Sequence, residues 1–402
     1  MANVQIIGGG PAGLMAAYSA SLARHTVTLF EKNTQLGKKL QLTGHGRCNI
    51  TNACTKEEFF THIVHNARFL YSSFAQFSNQ DLLAFLKANG CPTIQEENGR
   101  VFPSTNSAVD VILCFIEVLK KQNVTIKTNE PCLSIQVENQ KVKGITTPNG
   151  FYPSDGVIVT TGGMSFPTTG STGDGYQFAK DFGLTIQPCL PGLVSIHSKD
   201  VIDLAGLSLE KVQIQVKQGK KVLYKETGPI LFTHQGLSGP TILNASNFLI
   251  KKDCKSLQID FVPSKSLEEC NQLLLKALQK HPNKTVQHSL EDLLPKRFVQ
   301  YLLVRVAIDA KQKCNTITKE KRLELCQLLK TCPFSIDGYG DFHEAMVTVG
   351  GISVKEIDPK TMASKKIPNL KFAGEVLDLD GQTGGYNLQI AWSTGYVAGA
   401  TI

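Results

Sequence analysis

The pattern of apolar and polar positions changes twice between the two ends of the chain. Up to about residue 188 and again after about residue 345, short apolar runs lead into glycine turns and helical periodicity. Residues 192–263 instead alternate apolar and polar positions, which is typical of antiparallel strands with one solvated face. Helical periodicity returns in residues 264–330. The pattern predicts an α/β protein whose parallel-sheet domain is interrupted in the middle of the chain.

The first apolar run begins a dinucleotide-binding pattern. A buried strand is predicted at residues 4–7, and the turn after it holds Gly8, Gly10 and Gly13 in G-x-G-x-x-G spacing before a helix. These glycines permit a tight turn, close approach of the backbone to a pyrophosphate, and close helix–strand packing. The next strand ends on Glu31, which can accept hydrogen bonds from both ribose hydroxyls and would repel a 2′-phosphate. FAD and NAD both stay open at this point, because both carry an adenosine diphosphate.

Later segments favour FAD. Residues 156–163 form another apolar run that ends in a glycine turn, and residues 370–375 form a third that ends on an acid. Residues 381–387 then begin a final helix that reaches about Ala400. A C-terminal strand and helix that return to the first half suit a cofactor with a second, extended end. The N-terminus of the last helix would face the flavin pyrimidine, where negative charge develops on reduction, and an acid in residues 375–380 would hold ribityl hydroxyls.

A family resemblance is carried by three stretches spread over the chain: residues 37–52, with Gly44-His45-Gly46-Arg47-Cys48-Asn49, then residues 231–240, and residues 374–392. In these stretches the chain resembles the YhiN/BaiN-like flavoproteins, a branch of the glutathione-reductase-like FAD fold. It departs from that family at His45, where the family usually has glycine, and a titratable ring therefore stands in the presumed cofactor loop.

The resemblance implies a discontinuous FAD domain in residues 1–188 and 345–402. It implies a small β-barrel in residues 189–263 and 331–344, with a helical insert domain in residues 264–330. The residues expected to bind the cofactor are Gly8, Gly10, Pro11, Ala12, Gly13, Glu31, Lys32, Lys39, Arg47, Cys48, Asn49, Leu133, Thr161, Gly162, Gly163, Gly374, Glu375, Asp380, Gly385, Tyr386, Asn387 and Leu388.

Three residues are candidates for catalysis: Cys48, His234 and Tyr386. Cys48 would be a proton donor if it is exposed near flavin N5, and a small buried thiol otherwise. His234, in the glycine-rich loop of residues 231–240, would supply an acid or a hydrogen bond, or only cap its own loop. Tyr386, with Asn387, would touch the isoalloxazine. Arg47 would neutralise a pyrophosphate or an anionic substrate group.

Charge and cysteine content narrow the setting of the protein. Residues 188–341 hold 22 Lys and Arg against 15 Asp and Glu, so nearly all of the net charge of +8 lies in the middle of the 402-residue chain. This excess could attract ribosomal RNA or be a solubilising surface without a partner. Eleven cysteines without metal or C-x-x-C spacing, and no apolar run of membrane-spanning length, predict a protein of the cytoplasm that does not bind a membrane. The oligomeric state stays open, with a monomer favoured over an oligomer.

Three function classes remain for comparison. The first is reduction of a conjugated C=C bond, and resembling proteins are assigned uridine-to-dihydrouridine reduction in ribosomal RNA or enone reduction in bile-acid derivatives. The second is oxidation of a small-molecule amine with oxygen, also assigned within the family, and the third is a flavin-binding scaffold without activity. We rank ribosomal RNA uridine first, with FAD as cofactor and NADPH or NADH as electron donor. No second G-x-G-x-x-G with its strand and helix is present, so a nicotinamide would dock without a Rossmann domain of its own.

Overall fold

The computed structural model describes residues 1–219 and 221–402, which divide into two compact units. The first unit comprises residues 1–192 and 341–402, and the second comprises residues 193–340. The second unit is inserted into the first, at the positions where the pattern of apolar residues changes along the chain. In the described part of the chain, every helix is too short or too polar to cross a membrane.

The helices are α1 Pro11–Leu22, α2 Lys56–Thr61, α3 Tyr71–Gln76, α4 Asn79–Ala88, α5 Ala108–Lys121, α6 Asp174–Asp181, α7 Pro240–Lys251, α8 Leu267–Lys280, α9 Val286–Leu290, α10 Lys296–Arg305, α11 Lys319–Lys330 and α12 Tyr386–Ala400. The strands are β1 Asn3–Ile7, β2 Thr26–Phe30, β3 Thr51–Asn52, β4 Ile63–His65, β5 Thr93–Gln95, β6 Arg100–Pro103, β7 Thr125–Lys127, β8 Ser134–Glu138, β9 Lys141–Thr147, β10 Gly150–Pro153, β11 Gly156–Val159, β12 Ile186–Gly192, β13 Ile196–His197, β14 Ser208–Gln218, β15 Lys221–Phe232, β16 Gly236–Ser238, β17 Ser256–Asp260, β18 Cys332–Ser335, β19 Gly338–Tyr339, β20 Val347–Ile352, β21 Leu370–Phe372 and β22 Asp380–Gly381.

A five-stranded parallel sheet organises the first unit, in the order β21-β11-β1-β2-β7. Its central strands β1 and β11 are buried over nearly their whole length, because α1 packs against both and β9 packs against β11, and this explains their uninterrupted apolar runs. The last strand of the sheet in sequence, β21, pairs with β11, so the C-terminal segment completes the sheet begun at the N-terminus. The α/β class and the parallel sheet predicted from the sequence are confirmed.

Helices α1 and α12 pack backbone against backbone, in parallel. A Cβ atom on Gly395 would lie 2.3 Å from the Ala12 carbonyl oxygen, and one on Gly399 would lie 2.2 Å from the Ala16 carbonyl oxygen. Only glycine permits this approach. Because Gly395 lies beside the start of α1, the nine residues before it, back to Tyr386, extend α12 about 14 Å beyond that start at 1.5 Å per residue.

The single tryptophan holds α12 against the rest of the first unit. Trp392 is fully buried, stacks on Phe115 with ring centroids 5.0 Å apart, and donates from Nε1 to the Ile50 carbonyl oxygen at 3.1 Å. It is a packing residue. The neighbouring Gln389 accepts a hydrogen bond from Thr51 at 2.7 Å, which ties the helix to β3.

The second unit contains a seven-stranded antiparallel sheet in the order β18-β17-β14-β15-β16-β13-β19. One hydrophobic core joins strand residues such as Ile214 and Ile259 to helix residues such as Leu274 and Phe298. The strands and helices that we expected as a barrel and a separate helical insert thus share a core. The barrel closure and the three-way division stay predictions, and the unit boundaries fall within four residues of the expected ones.

Candidate functional site

The first glycine turn is built by two very close backbone approaches. A Cβ on Gly8 would lie 2.6 Å from the Thr160 carbonyl oxygen, and one on Gly13 would lie 1.9 Å from the Gly8 carbonyl oxygen. These two glycines are therefore required by the chain's own packing. They bring the start of α1 down onto the ends of β1 and β11, at the carboxyl edge of the parallel sheet where ligands of such folds bind.

Gly10 has a different reason to be glycine. A Cβ there would have no atom within 4 Å, and its φ of −81° is ordinary for any residue. The other described glycines with equally empty surroundings, Gly90, Gly150, Gly206 and Gly219, all have positive φ. Gly10 caps α1 without a side-chain hydrogen bond to the helix N–H groups. Open space beside an uncapped helix N-terminus suits a phosphate group, because the free N–H groups and the helix dipole both favour an anion.

Glu31 lies at the end of β2, next to this turn. Its Oε2 accepts from the Gly9 backbone N–H at 2.8 Å, and its Oε1 accepts from the backbone N–H and side-chain amide of Asn33 at 2.8 and 2.7 Å. The carboxylate is 8% exposed. These bonds fix its orientation while leaving lone pairs, since each carboxylate oxygen can accept more than one hydrogen bond. This geometry suits the expected ribose contact.

The N-terminus of α12 is joined to the loop that precedes β3. A Cβ on Gly385 would lie 2.4 Å from the Thr51 carbonyl, so this cap, too, must be glycine. In the orientation that satisfies all its atoms, the Asn49 amide donates to Thr51 and Val101 carbonyls and accepts from the Gly385 N–H at 3.1 Å. Asn387 bonds both the N–H and the carbonyl oxygen of Gly381. The helix start is thus rigidly placed without a side-chain cap.

Lys39 and Glu375 form an ion pair between residues 336 positions apart. The Nζ of Lys39 lies 2.8 Å from Glu375 Oε2 and 2.5 Å from Ser165 Oγ, and Glu375 Oε1 accepts from Ser165 Oγ and the Thr348 backbone N–H. Burial raises the pKa of Glu375, but the Lys39 ammonium and these hydrogen bonds outweigh it and hold the pKa below its usual value. Glu375 is therefore a charged structural acid, and we assign it no ribityl hydroxyl.

Two other acids stand in the segment that leads to α12. Asp380 is fully buried and lies 2.5 Å from His65 Nδ1. Asp378 is 7% exposed, and its Oδ2 accepts from Asn66, whereas its Oδ1 is buried without a hydrogen-bond partner among the residues that the structure describes. The Thr161 hydroxyl is also buried, and it has no hydrogen-bond partner among the described residues. A buried carboxylate oxygen without a partner is costly, so Asp378 is the acid best placed to accept from ribityl hydroxyls.

Tyr386 begins α12 and stacks on His62, with ring centroids 4.4 Å apart and an interplanar angle of 16°. His62 Nδ1 lies 2.5 Å from Gln382 Oε1, which requires a proton on Nδ1 because the amide oxygen only accepts. His62 is half-buried. Two histidines are thus bonded to the segment before α12: His65 to Asp380, and His62 to Gln382.

Arg47 and Cys48 are placed differently from the expectation. The Arg47 guanidinium lies 2.5 Å from Glu96 and 2.6 Å from Asn106, and 4.1 Å from the centroid of the Phe102 ring. Its charge is thus paired within the protein, and its contact with a pyrophosphate or an anionic substrate group stays a prediction. Cys48 is fully buried, and burial raises its pKa to about 12. Because the proton-donor hypothesis required exposure, this placement corrects it in favour of a packed thiol.

The remaining predicted cofactor residues are spread around the same sheet edge. Lys32 bonds Thr172 and Asp174 at 2.6 and 2.7 Å, and the Leu133 side chain is 58% exposed. Pro11 and Ala12 form the first turn of α1, Gly162 and Gly163 follow β11, Gly374 approaches Ala12, and Leu388 lies in the first turn of α12. His234 lies exposed in the loop between β15 and β16 of the second unit, and its catalytic role stays a prediction.

The sequence analysis missed Asp378, His62 and His65. Asp378 lies inside the 375–380 segment in which an acid was expected, but three acids there are equivalent by pattern. The two histidines belong to a segment without a recognisable motif, and only the pairing of β4 with β22 brings them to the cofactor end. His/Cys/Asp/Glu groups suited to a metal ion were not found in residues 1–219 and 221–402.

Solved structures share this fold at low sequence identity. A 3-ketosteroid Δ4-(5α)-dehydrogenase from Rhodococcus jostii RHA1, in complex with 4-androstene-3,17-dione, aligns with a TM-score of 0.51 and 13% identity, over 99% of this chain and 96% of that one. Fold and site together define the class of the chain, which is an FAD-dependent oxidoreductase.

Within that class, the chain belongs to the family described as HI0933-like protein Rossmann domain, whose model matches residues 2–401. It is 32% identical to a ribosomal RNA dihydrouridine synthase of Haemophilus influenzae, over 99% of this chain and 97% of that protein. It is 30% identical to a 3-dehydro-bile acid delta(4,6)-reductase of Clostridium scindens, over 99% and 98%. The family resemblance found in the sequence is thereby confirmed.

Proposed function

We propose that this protein is an FAD-dependent reductase that takes electrons from NADPH or NADH and reduces the conjugated C5=C6 bond of a uridine in ribosomal RNA. The observation that carries the cofactor part is Gly10, where no packing contact of the chain excludes a side chain. The substrate part rests on the 32% identity to a ribosomal RNA dihydrouridine synthase and on the charge of the second unit.

Residues of the first unit would hold the cofactor at two ends. The turn at Gly10 and the start of α1 would bind the pyrophosphate, and Glu31 would bind the adenosine ribose. The partnerless Oδ1 of Asp378 would accept from the ribityl chain, and the uncapped start of α12 would stabilise negative charge at the pyrimidine end. Bound there, FAD would supply a hydride equivalent from N5 to the β-carbon of a conjugated C=C bond.

A proton must reach the α-carbon in the same reduction. Cys48 is too buried and too weak an acid for this task. His62 is better suited, because Gln382 holds its Nδ1 in a hydrogen bond and histidine is the side chain that most often serves as a general acid. Its stacking on Tyr386 keeps the ring at the start of α12, the end that we assign to the flavin.

The charge distribution favours RNA over a small molecule. Residues 193–340 hold 22 Lys and Arg and 14 Asp and Glu, a net charge of +8, whereas the first unit holds 20 of each and is neutral. A polyanion would therefore be drawn to the second unit alone, and its attraction would depend strongly on salt. A uridine would also have to leave its stack to reach a flavin.

Reduction of a small enone is the second candidate, favoured by the 30% identity to a bile-acid reductase over nearly the whole chain. The two candidates share one chemistry, because uracil C5=C6 and a dienone are both alkenes conjugated to a carbonyl. They differ in whether the substrate needs the basic second unit. Amine oxidation stays an alternative from the sequence analysis, and we note no feature of the site that favours it.

The test is anaerobic reduction of the FAD-loaded protein by NADPH and by NADH, followed by reoxidation with competing acceptors. The acceptors are ribosomal RNA that lacks dihydrouridine, a small steroid enone and dioxygen. We expect RNA to reoxidise the flavin and to gain dihydrouridine, detected by mass spectrometry of its nucleosides. Rapid reoxidation by the enone with no reaction of RNA would replace the first candidate by the second. Reduction by an amine alone, with peroxide formed in air, would refute both.

A further inference from the structure

We propose that the outer face of the β14–β15–β17 sheet docks the backbone of double-helical RNA. We define this outer face by the side chains of Gln213, Gln215, Lys217, Lys225, Thr227 and Gln258. The inference rests on the proposed function, because it assumes an RNA substrate and names the surface that would hold it.

Strand pairing puts these side chains on one side of the sheet. Gln213 lies opposite Thr227 and Gln215 lies opposite Lys225, and on the other edge Gln215 lies opposite Gln258. Their contacts agree, since Lys217 Nζ donates to Gln258 Oε1 at 2.9 Å and Gln213 Nε2 donates to Thr227 Oγ1 at 3.1 Å. All six side chains are exposed or half-buried, so the face is open to solvent.

The opposite side of the same strands is apolar and packs against the core. Val212, Ile214 and Val216 are buried, and α7 covers β14 and β15 on that side. The acid of β15, Glu226, also points there and accepts from Asn244 of α7. Because side chains alternate along a strand, the Glu226 carboxylate points toward the core, whereas Lys217 and Lys225 point to the outer face.

Two acids near the outer face already have partners, and Glu210, beside Lys211 on β14, is an exposed acid that is not in an ion pair among the described residues. Asp260, opposite Gln213, lies 2.6 Å from Lys330, and Asp200 accepts from Ser335 at the far edge. Lys217 and Lys225 of this face, and Lys211 farther along β14 at its bulge, have no ion pair among the described residues. Lys217 and Lys225 thus present two uncompensated ammonium groups, and Lys211 presents a third beside the exposed Glu210.

The chemistry of the face fits a double helix better than a single strand. Proteins that bind single strands stack bases on exposed aromatic rings, whereas the aromatic side chains of these three strands, Tyr224 and Phe232, are buried. A-form RNA presents phosphates and 2′-hydroxyls across a shallow minor groove. Lysines match the phosphates, and glutamine amides, which both donate and accept, match the hydroxyls.

The test compares two triple variants of the FAD-loaded full chain. The face variant is Lys211→Gln, Lys217→Gln and Lys225→Gln. The matched control removes three exposed lysines of the same unit that lie outside this sheet, through Lys276→Gln, Lys311→Gln and Lys319→Gln. Both lose three charges, so a diffuse field affects them alike. Equal FAD content and equal thermal midpoints verify that each variant is folded.

Binding to a short RNA duplex is measured by fluorescence anisotropy as a function of salt. Each lost phosphate contact lowers the slope of log K against log salt by about 0.9. We expect the slope of the face variant to fall by about 2 to 3 and its affinity at 0.15 M salt to fall by roughly a hundredfold. The control should keep the wild-type slope to within about one contact. Equal losses in both variants, or no loss in the face variant, would overturn the proposal.

Three further readouts identify the partner. Tighter binding of wild type to a single strand than to the duplex would overturn the double-helical assignment. Loss of binding to phosphatidylglycerol vesicles, with RNA binding unchanged, would also overturn it. Reoxidation of the reduced flavin by a small enone should be equal in all proteins. If RNA docks on this face but never reoxidises the flavin, the docking surface stands and the proposed function fails.

Discussion

Replacing Gly10 by alanine separates the fold of this protein from its cofactor binding. The new methyl group would meet no atom of the chain within 4 Å, and the backbone at φ −81° and ψ −174° is allowed for alanine. Alanine is a poorer helix N-cap than glycine by a few tenths to about 1 kcal/mol. It also restricts the unfolded chain, which returns about 0.4–1 kcal/mol. The stability of the cofactor-free protein should therefore change by less than about 0.5 kcal/mol.

The effect on the cofactor should be much larger. If the pyrophosphate lies against Gly10, the methyl group overpacks that contact, which costs about 1–3 kcal/mol. Since about 1.4 kcal/mol is a factor of ten, the Kd for FAD should rise roughly tenfold to a hundredfold. The assay removes FAD, titrates it back by flavin fluorescence, and records the thermal midpoint of the cofactor-free form.

Two other glycines provide the controls. Gly338→Ala, in the second unit, meets only an ordinary contact of 3.4 Å and should change neither quantity. Gly13→Ala would place its Cβ 1.9 Å from the Gly8 carbonyl oxygen and should disrupt the turn itself. An FAD affinity of Gly10→Ala within twofold of wild type would refute the assignment of this space to a phosphate. Loss of the folded state would refute the premise that the space is empty.

Three more substitutions test other parts of the structure. Glu31→Ala should weaken FAD retention at least tenfold, because hydrogen bonds to a charged group contribute about 1.5–3 kcal/mol, and a fully yellow purified variant would contradict the ribose assignment. Asp378→Asn should also weaken FAD retention, yet leave the cofactor-free protein equally or more stable in urea, since it removes a buried charge with an unpartnered oxygen. Burial lowers the pKa of Lys371 from 10.5 to about 7, so the unfolded chain binds the proton more tightly and stability rises between pH 7 and 10.5, by roughly 5 kcal/mol in total. Lys371→Met should remove that rise, and parallel stability–pH curves for the two proteins would disprove it.

The sequence predicts what depends on local pattern. The buried strands β1 and β11 were visible as apolar runs, helix α12 ends at Ala400 as predicted, and the glycine turns were visible as motifs. These elements follow from periodicity and backbone conformation, which need no knowledge of distant partners. The FAD-type site was predictable for the same reason.

The partners of individual charged groups were not predictable. Glu375 was a candidate ribityl acid until Lys39, 336 positions away, was found paired with it. Arg47 was assigned to a phosphate because the pattern does not show that Glu96 lies beside it. Cys48 lies in a glycine-rich loop, which suggests exposure, but the loop folds inward and buries the thiol completely. Ion pairs and burial depend on tertiary contacts, so a residue list from motifs mixes cofactor ligands with residues that support them.

The offset of α12 against α1 explains why a C-terminal helix belongs to a site begun at the N-terminus. The two helices are parallel, so both direct a positive dipole end toward the same edge of the sheet. The start of α12 lies about 14 Å beyond the start of α1 along that direction, by the rise of nine residues. A nucleotide bound only at the start of α1 would make no contact with the start of α12. A cofactor with a pyrophosphate at one end and an electron-accepting ring at the other uses both, and Asp378 lies in the segment that leads to the second end. The glycines at 395 and 399, which fix the offset, therefore place two positive helix ends about 14 Å apart along that direction, which suits a cofactor with two ends.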